Sequence, residues 1–297
     1  MNPSDKQLAA IRGNLFPGAH WLVDEQPDFP WHQDSSEQYT ASLKQSSQAL
    51  ALDCFATIAR LESRHRIMNA WCRHLDLPTD DTWELEPEYV LGRGLLGEPR
   101  SSQLDAVGWG SRNLIVWEAK FTEQDGGGCS QIQPLRKGPN AGLVQCNGRY
   151  ELQVNPVNNR EARCALTGKG VKYWSHLPAV LDLDANVDHD PCPIKGGTYQ
   201  WARNLLAASV LGKDKGLTPA FVLVHAGEGF PMATHLGDGG SWNAIVTMAK
   251  ASKFPLRVVT YSELLRIAVD ACTNDDQPTV SALADWIDKK ITGVRGA

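Results

Sequence analysis

Two hundred and ninety-seven residues, 42% of them hydrophobic and 8% aromatic, are enough to bury a large core and rule out a disordered chain. Lys and Arg total 29 against 34 Asp and Glu, a net charge of −5, which argues against coating nucleic acid through bulk positive charge. No apolar run approaches the ~18–20 residues of a membrane span, and Met1-Asn2-Pro3-Ser4-Asp5-Lys6 lacks the basic stretch and apolar core of a secretory signal, so a cytoplasmic protein is expected.

Residues 1–35, rich in Pro, Trp and Gln and without periodicity, read as an irregular arm ahead of one domain over 36–297. From about Glu37 to Leu75 the pattern is helical: Leu43, Leu50, Phe55, Ile58 and Leu61 recur at helical spacings, with no Pro or Gly in between. Short strand-like pieces with glycine turns run from Tyr89 to Phe121. The segment 122–198, rich in Gly, Asn and Pro, reads as a long insertion with little regular structure. Beyond it, Tyr199 to Leu211 is expected as a helix, Ala220 to His225 as a buried strand, and Trp242 to Lys250 as a helix. Leu256 to Thr260 reads as a strand, and Ser262 to Ala271 and about Val280 to Lys290 as helices. The order implies an α/β domain with a mixed central sheet flanked by helices. Trp174, Trp201 and Trp242 are expected in the core.

The informative stretch is Gln103 to Phe121. Two β-rich runs flank Gly110-Ser111-Arg112-Asn113, a four-residue hairpin loop. If Trp109 and Leu114 close it, Val107 faces Val116 and Asp105 faces Glu118, with Lys120 on the same face. Opposed carboxylates on an apolar sheet repel, and a divalent cation between them turns repulsion into coordination. Mg²⁺, or Mn²⁺ in its place, suits one or two carboxylates, several waters and a phosphate oxygen. Lys120 would reach the same pocket, to orient an attacking water or hold a phosphate oxygen. A solvated face with a Lys–Glu pair is the plain alternative. Against it, Ile115, Val116, Trp117 and Phe121 make the strand apolar on both faces.

Asp105 followed by Glu118-Ala119-Lys120 resembles the D…(D/E)-x-K signature of the PD-(D/E)XK, or restriction-endonuclease-like, nuclease superfamily. The element order over roughly 40–271 is similar to that fold as well, although Asp105 follows Leu104 rather than Pro. The resemblance implies a Mg²⁺-dependent deoxyribonuclease with Asp105 and Glu118 as metal ligands and Lys120 as the catalytic lysine. Many members add an earlier acid. Glu62 and Glu88 are the candidates, Glu88 being nearer the motif strands, and a surface glutamate is the plain reading of either. Gln200, Arg203 and Asn204 share a helix face and resemble the Gln-containing helix of RecB-like nucleases, without its Tyr. Arg203 there would clamp phosphate, and ordinary helix-surface polarity is the alternative.

Four of the seven cysteines, Cys129, Cys146, Cys164 and Cys192, fall in the insertion. Zinc and iron–sulfur clusters both use four thiolates to staple loop-rich segments, and buried free thiols are the alternative. Paired Cys knuckles typical of zinc are absent. The wide spacings resemble those of [4Fe–4S] nucleases of CRISPR adaptation and helicase–nuclease complexes, which place ligands on both sides of the motif, whereas here all four follow it. His176, His189 and Asp190 are possible substitutes for a Cys ligand. The rival to a DNA nuclease is a non-catalytic nucleic-acid-binding or assembly module of the same fold carrying a Cys₄ metal or iron–sulfur site. Oligomeric state and cleavage specificity are not legible.

Overall fold

The structure is a computed structural model that describes residues 3–249 and 254–295. Its elements are α1 (Asp5–Asn14), α2 (Trp21–Asp24), α3 (Ser47–Arg60), α4 (Arg64–His74), β1 (Trp83–Val90), β2 (Gln103–Gly110) and β3 (Asn113–Lys120). There follow β4 (Gln153–Val154), β5 (Glu161–Ala162), α5 (Tyr173–Val180), α6 (Tyr199–Lys215), β6 (Thr218–His225) and α7 (Pro231–Thr234). The chain ends with α8 (Ser241–Met248), β7 (Leu256–Thr260), α9 (Tyr261–Ala271) and α10 (Gln277–Arg295). Five strands form one mixed sheet in the order β1-β2-β3-β6-β7. β1, β2 and β3 pair antiparallel with one another, and β6 and β7 run parallel to β3.

β3 is buried along its whole length, as expected of the strand where antiparallel and parallel halves meet under helices on both faces. Side chains alternate across it. Ile115, Trp117 and Ala119 join Trp83, Leu85 and Val222 in a core under α3, α4, α9 and α10. Leu114 and Val116 join Val107, Phe221, Leu223 and Leu205 in a second core under α5, α6 and α8. Trp174, Trp201 and Trp242 pack in that second core.

The β2–β3 hairpin has the register expected from its loop: Trp109 pairs with Leu114 and Val107 with Val116. Asp80 pins the turn. Its carboxylate accepts from the Ser111 hydroxyl and from the backbone N–H groups of Arg112 (2.8 Å) and Asn113 (3.0 Å). Gly110 permits this approach, because a Cβ there would lie 2.3 Å from Asp80 Oδ2.

Several expectations need correction. The helix expected from Glu37 to Leu75 is two helices, α3 and α4, preceded by non-helical chain. Ser46 caps α3 by accepting from Ala49 N, and the break at 61–63 is held from afar, since Ser63 N and Oγ both donate to Asp276. No local Pro or Gly marks that break because a tertiary contact makes it. The segment 1–35 is not irregular: α1 and α2 place Ile11, Leu15, Ala19 and Leu22 against Ala49, Leu52 and Ala56 of α3. β1 starts at Trp83, earlier than the expected strand pieces, and α10 extends past both expected ends. The insertion carries only β4, β5, α5 and two short 3₁₀ turns. The helix expected over Trp242–Lys250 is α8, and Lys250 lies outside the described residues. No helix among the described residues is long and apolar enough to cross a membrane.

Candidate active site

Three acids line up across three neighbouring strands. Pro87 pairs with Ala106 and Tyr89 with Leu104, so Glu88 of β1 faces Asp105 of β2. Ala106 pairs with Trp117, and the same register carried one residue further sets Asp105 against Glu118 of β3. Asp105 and Glu118 open on one cleft of about 730 Å³, together with Lys120, Gln200 and Arg203.

Each side chain is held. Asp105 Oδ2 accepts from Ala119 N at 2.6 Å. Lys120 Nζ lies 2.8 Å from Glu118 Oε1 and donates to Gln200 Oε1 at 2.8 Å. The second Glu118 oxygen accepts from the Asn204 amide. Arg203 Nε donates to Asn204 Oδ1 at 3.0 Å. The α6 face grouped by helical spacing therefore reaches the strand residues as one unit.

Glu88 is 3% exposed and takes a left-handed backbone conformation, φ +52°, costly for a residue with a side chain. Its buried carboxylate pairs with His32, whose Nε2 lies 3.1 Å away. Glu62 is exposed at the α3–α4 break and does not line the cleft.

Sequence reasoning missed four cleft residues. His32 Nε2 also contacts Gln103 Oε1 at 2.5 Å. Phe121 N donates to Ser47 Oγ and to Glu123 Oε2, each at 3.0 Å. Gln103 was findable, two residues before Asp105 on the same strand face. His32 was not, because its position depends on how the N-terminal segment packs.

The charges are unbalanced. Burial pushes the Asp105 carboxyl well above the usual range, and the charges of Glu118 and Glu88 push it further. For Lys120, burial favours the neutral amine, but Glu118, Glu123 and Asp105 outweigh it and raise the pKa. His32 follows the same pattern. Burial lowers it, while the Glu88 hydrogen bond and charge, with Asp105 and Gln103, lift it to about 9.

The donor set suits a hard cation: oxygen ligands only, buried, and short of positive charge. Among the described residues no three His, Cys, Asp or Glu side chains are grouped about a metal position. That is compatible with Mg²⁺, which takes one or two carboxylates and completes its shell with water and substrate oxygens.

The four insertion cysteines are also brought together. Cys129, Cys146, Cys164 and Cys192 line one small pocket, whereas His176, His189 and Asp190 do not.

A family model described as Restriction Endonuclease associating with ARP matches residues 21–285. Curated proteins and solved structures give no match. The matched span takes in the whole five-stranded sheet and every cleft side chain named above. The chain therefore belongs to the family of restriction endonucleases associating with ARP.

Proposed function

We propose that the protein is a Mg²⁺-dependent nuclease that hydrolyses DNA phosphodiester bonds at the Asp105–Glu118–Lys120 site, in the manner of PD-(D/E)XK enzymes. One observation carries the reading: Asp105 and Glu118 open on the same cleft with the Lys120 amine fixed beside them. Asp105 and Glu118 would hold the cation, with Glu88 as a further acid buried behind them on the β1 side, outside the cleft lining and paired with His32. A divalent cation bound there supplies polarisation of the phosphate and neutralisation of charge on the leaving oxygen.

The chain's own residues do the rest. Lys120 Nζ, shared between Glu118 and Gln200, is a fixed ammonium that orients an attacking water or a phosphate oxygen. Asn204 restrains Glu118 and is in turn held by Arg203. The guanidinium of Arg203 faces the cleft with donors to spare for a second phosphate. Fixed donors and acceptors of this kind need no reorganisation as charge develops.

The test is cleavage of plasmid, linear and single-stranded DNA, with RNA alongside, in Mg²⁺ or Mn²⁺ and in chelator. Cleavage that requires metal and disappears in Asp105→Ala and Lys120→Ala supports the proposal. Cleavage undiminished in either variant overturns it, and DNA binding without any turnover would favour the non-catalytic module.

A further inference from the structure

Four separate turns of the insertion converge on one point. Cys129, Cys146, Cys164 and Cys192 all line a single pocket closed by apolar walls that include Ile132, Leu166 and Ile194. None of the four is in a disulfide. Every sulfur has a donor aimed at it. Backbone N–H groups of Gln131, of Leu166 and Thr167, and of Ile194 reach Cys129, Cys164 and Cys192 respectively. The Gln153 amide reaches Cys146 Sγ at 3.8 Å.

Such donors suit a sulfur that carries negative charge. Among the described residues, the charged side chains lining the pocket are Arg149, Arg163 and Lys195, and no carboxylate lines it. Arg149 and Arg163 also pair outward with Asp190 and Asp188. Lys169 Nζ donates to Gln131 Oε1, a side chain of the pocket lining, at 2.5 Å. A basic surround and sulfur-directed donors fit an anionic metal–thiolate group, not four idle thiols.

We propose that Cys129, Cys146, Cys164 and Cys192 ligate a [4Fe–4S] cluster. A four-iron cluster seats each thiolate on a different iron, so its sulfurs stand farther apart than those around one ion. The absence of paired Cys knuckles agrees with this. Each ligation exchanges one thiol proton for one iron–sulfur bond, with two ferric ions, two ferrous ions and four inorganic sulfides supplied from outside, so that no further oxidant is needed. The cluster's place explains its use. Cys129 N donates to Lys195 O at 2.9 Å and Cys192 N to Gly148 O at 3.0 Å, so the group ties together the segments that lead into α6 and Gln200.

The test is metal content, read independently of cleavage. The full chain is purified without oxygen and reconstituted with equal ferric and ferrous iron and sulfide, then assayed for iron, sulfide and zinc, by visible absorption, and by electron paramagnetic resonance after reduction with dithionite. About four iron and four sulfide per chain, lost in Cys164→Ser and Cys192→Ser and kept in Cys272→Ser, supports the proposal. One zinc per chain without iron, or no metal in the reconstituted wild type, overturns it. Because the wild-type content decides alone, variants that fail to fold leave the test intact.

Discussion

Lys120 and Glu118 form a buried ion pair on one strand face, Nζ to Oε1 at 2.8 Å, with the two residues only 5% and 4% exposed. The amine is therefore in place before substrate arrives, while among the described residues no ion pair reaches Asp105. Half of the acid pair is neutralised by the chain itself, and the other half waits for a cation.

Lys120→Ala is expected to lower kcat on DNA by at least about 100-fold, with KM little changed, because Arg203 and the rest of the cleft still bind phosphate. Lys120→Arg should not restore the rate, since a planar fork does not fit where a compact ammonium sits between Glu118 and Gln200. Steady-state cleavage in Mg²⁺ checks both.

Asp105→Asn is expected to stabilise the metal-free chain while abolishing cleavage. The wild-type carboxyl has a pKa raised above its ordinary 3.8 by burial, Glu118 and Glu88. Its contribution to stability is full below that ordinary value and is lost as pH rises through the raised one. An amide never ionises, so at neutral pH the variant should melt a few degrees higher in chelator. Added Mg²⁺ should raise the wild-type Tm and leave the variant unmoved. Calorimetry with and without metal reads the outcome.

The His32–Glu88 pair makes a different pH prediction. His32 is lifted from 6.5 to about 9 in the folded chain. Its stabilising contribution is full below about pH 6.5 and disappears as pH rises through about 9. His32→Gln should remove that alkaline loss, so the two Tm-versus-pH curves converge above the window. Parallel curves would mean that His32 does not hold Glu88.

Asp80→Ala should destabilise the fold by about 3 kcal/mol, because it strips the acceptor from the buried Asn113 N–H, the half-buried Arg112 N–H and the Ser111 hydroxyl. Asp80→Asn should lose less. Denaturant unfolding gives the difference, and an unchanged midpoint would show that the turn holds without its anchor.

The sheet was legible where local pattern fixes structure. The Gly110–Asn113 loop set the β2–β3 register, and that register set which acids meet. β1 was equally readable, since Trp83-Glu84-Leu85-Glu86 alternates as an edge strand should, but its Pro87 hid it. What escaped depends on distant partners: the break before α4 made by Asp276, the packing of α1 and α2 on α3, and with it the approach of His32 to Glu88. Gln200 and Asn204 were within reach because helical spacing is local, whereas the meeting of four scattered cysteines needed coordinates.

The long segment after β3 leaves and returns through one doorway. Gly126 N donates to Gly197 O and Gln200 N to Gly126 O, each at 2.7 Å, and a side chain at Gly126 would strike Trp201 and the Gly197 carbonyl. Closing a longer or shorter excursion through a fixed neck changes the entropy only logarithmically. The neck thus divides the excursion: its outlying loops can be resized without shifting Lys120 or Gln200, whereas α5, whose Trp174 and Leu177 pack with Leu205 in the second core, and the glycine at the threshold have to stay.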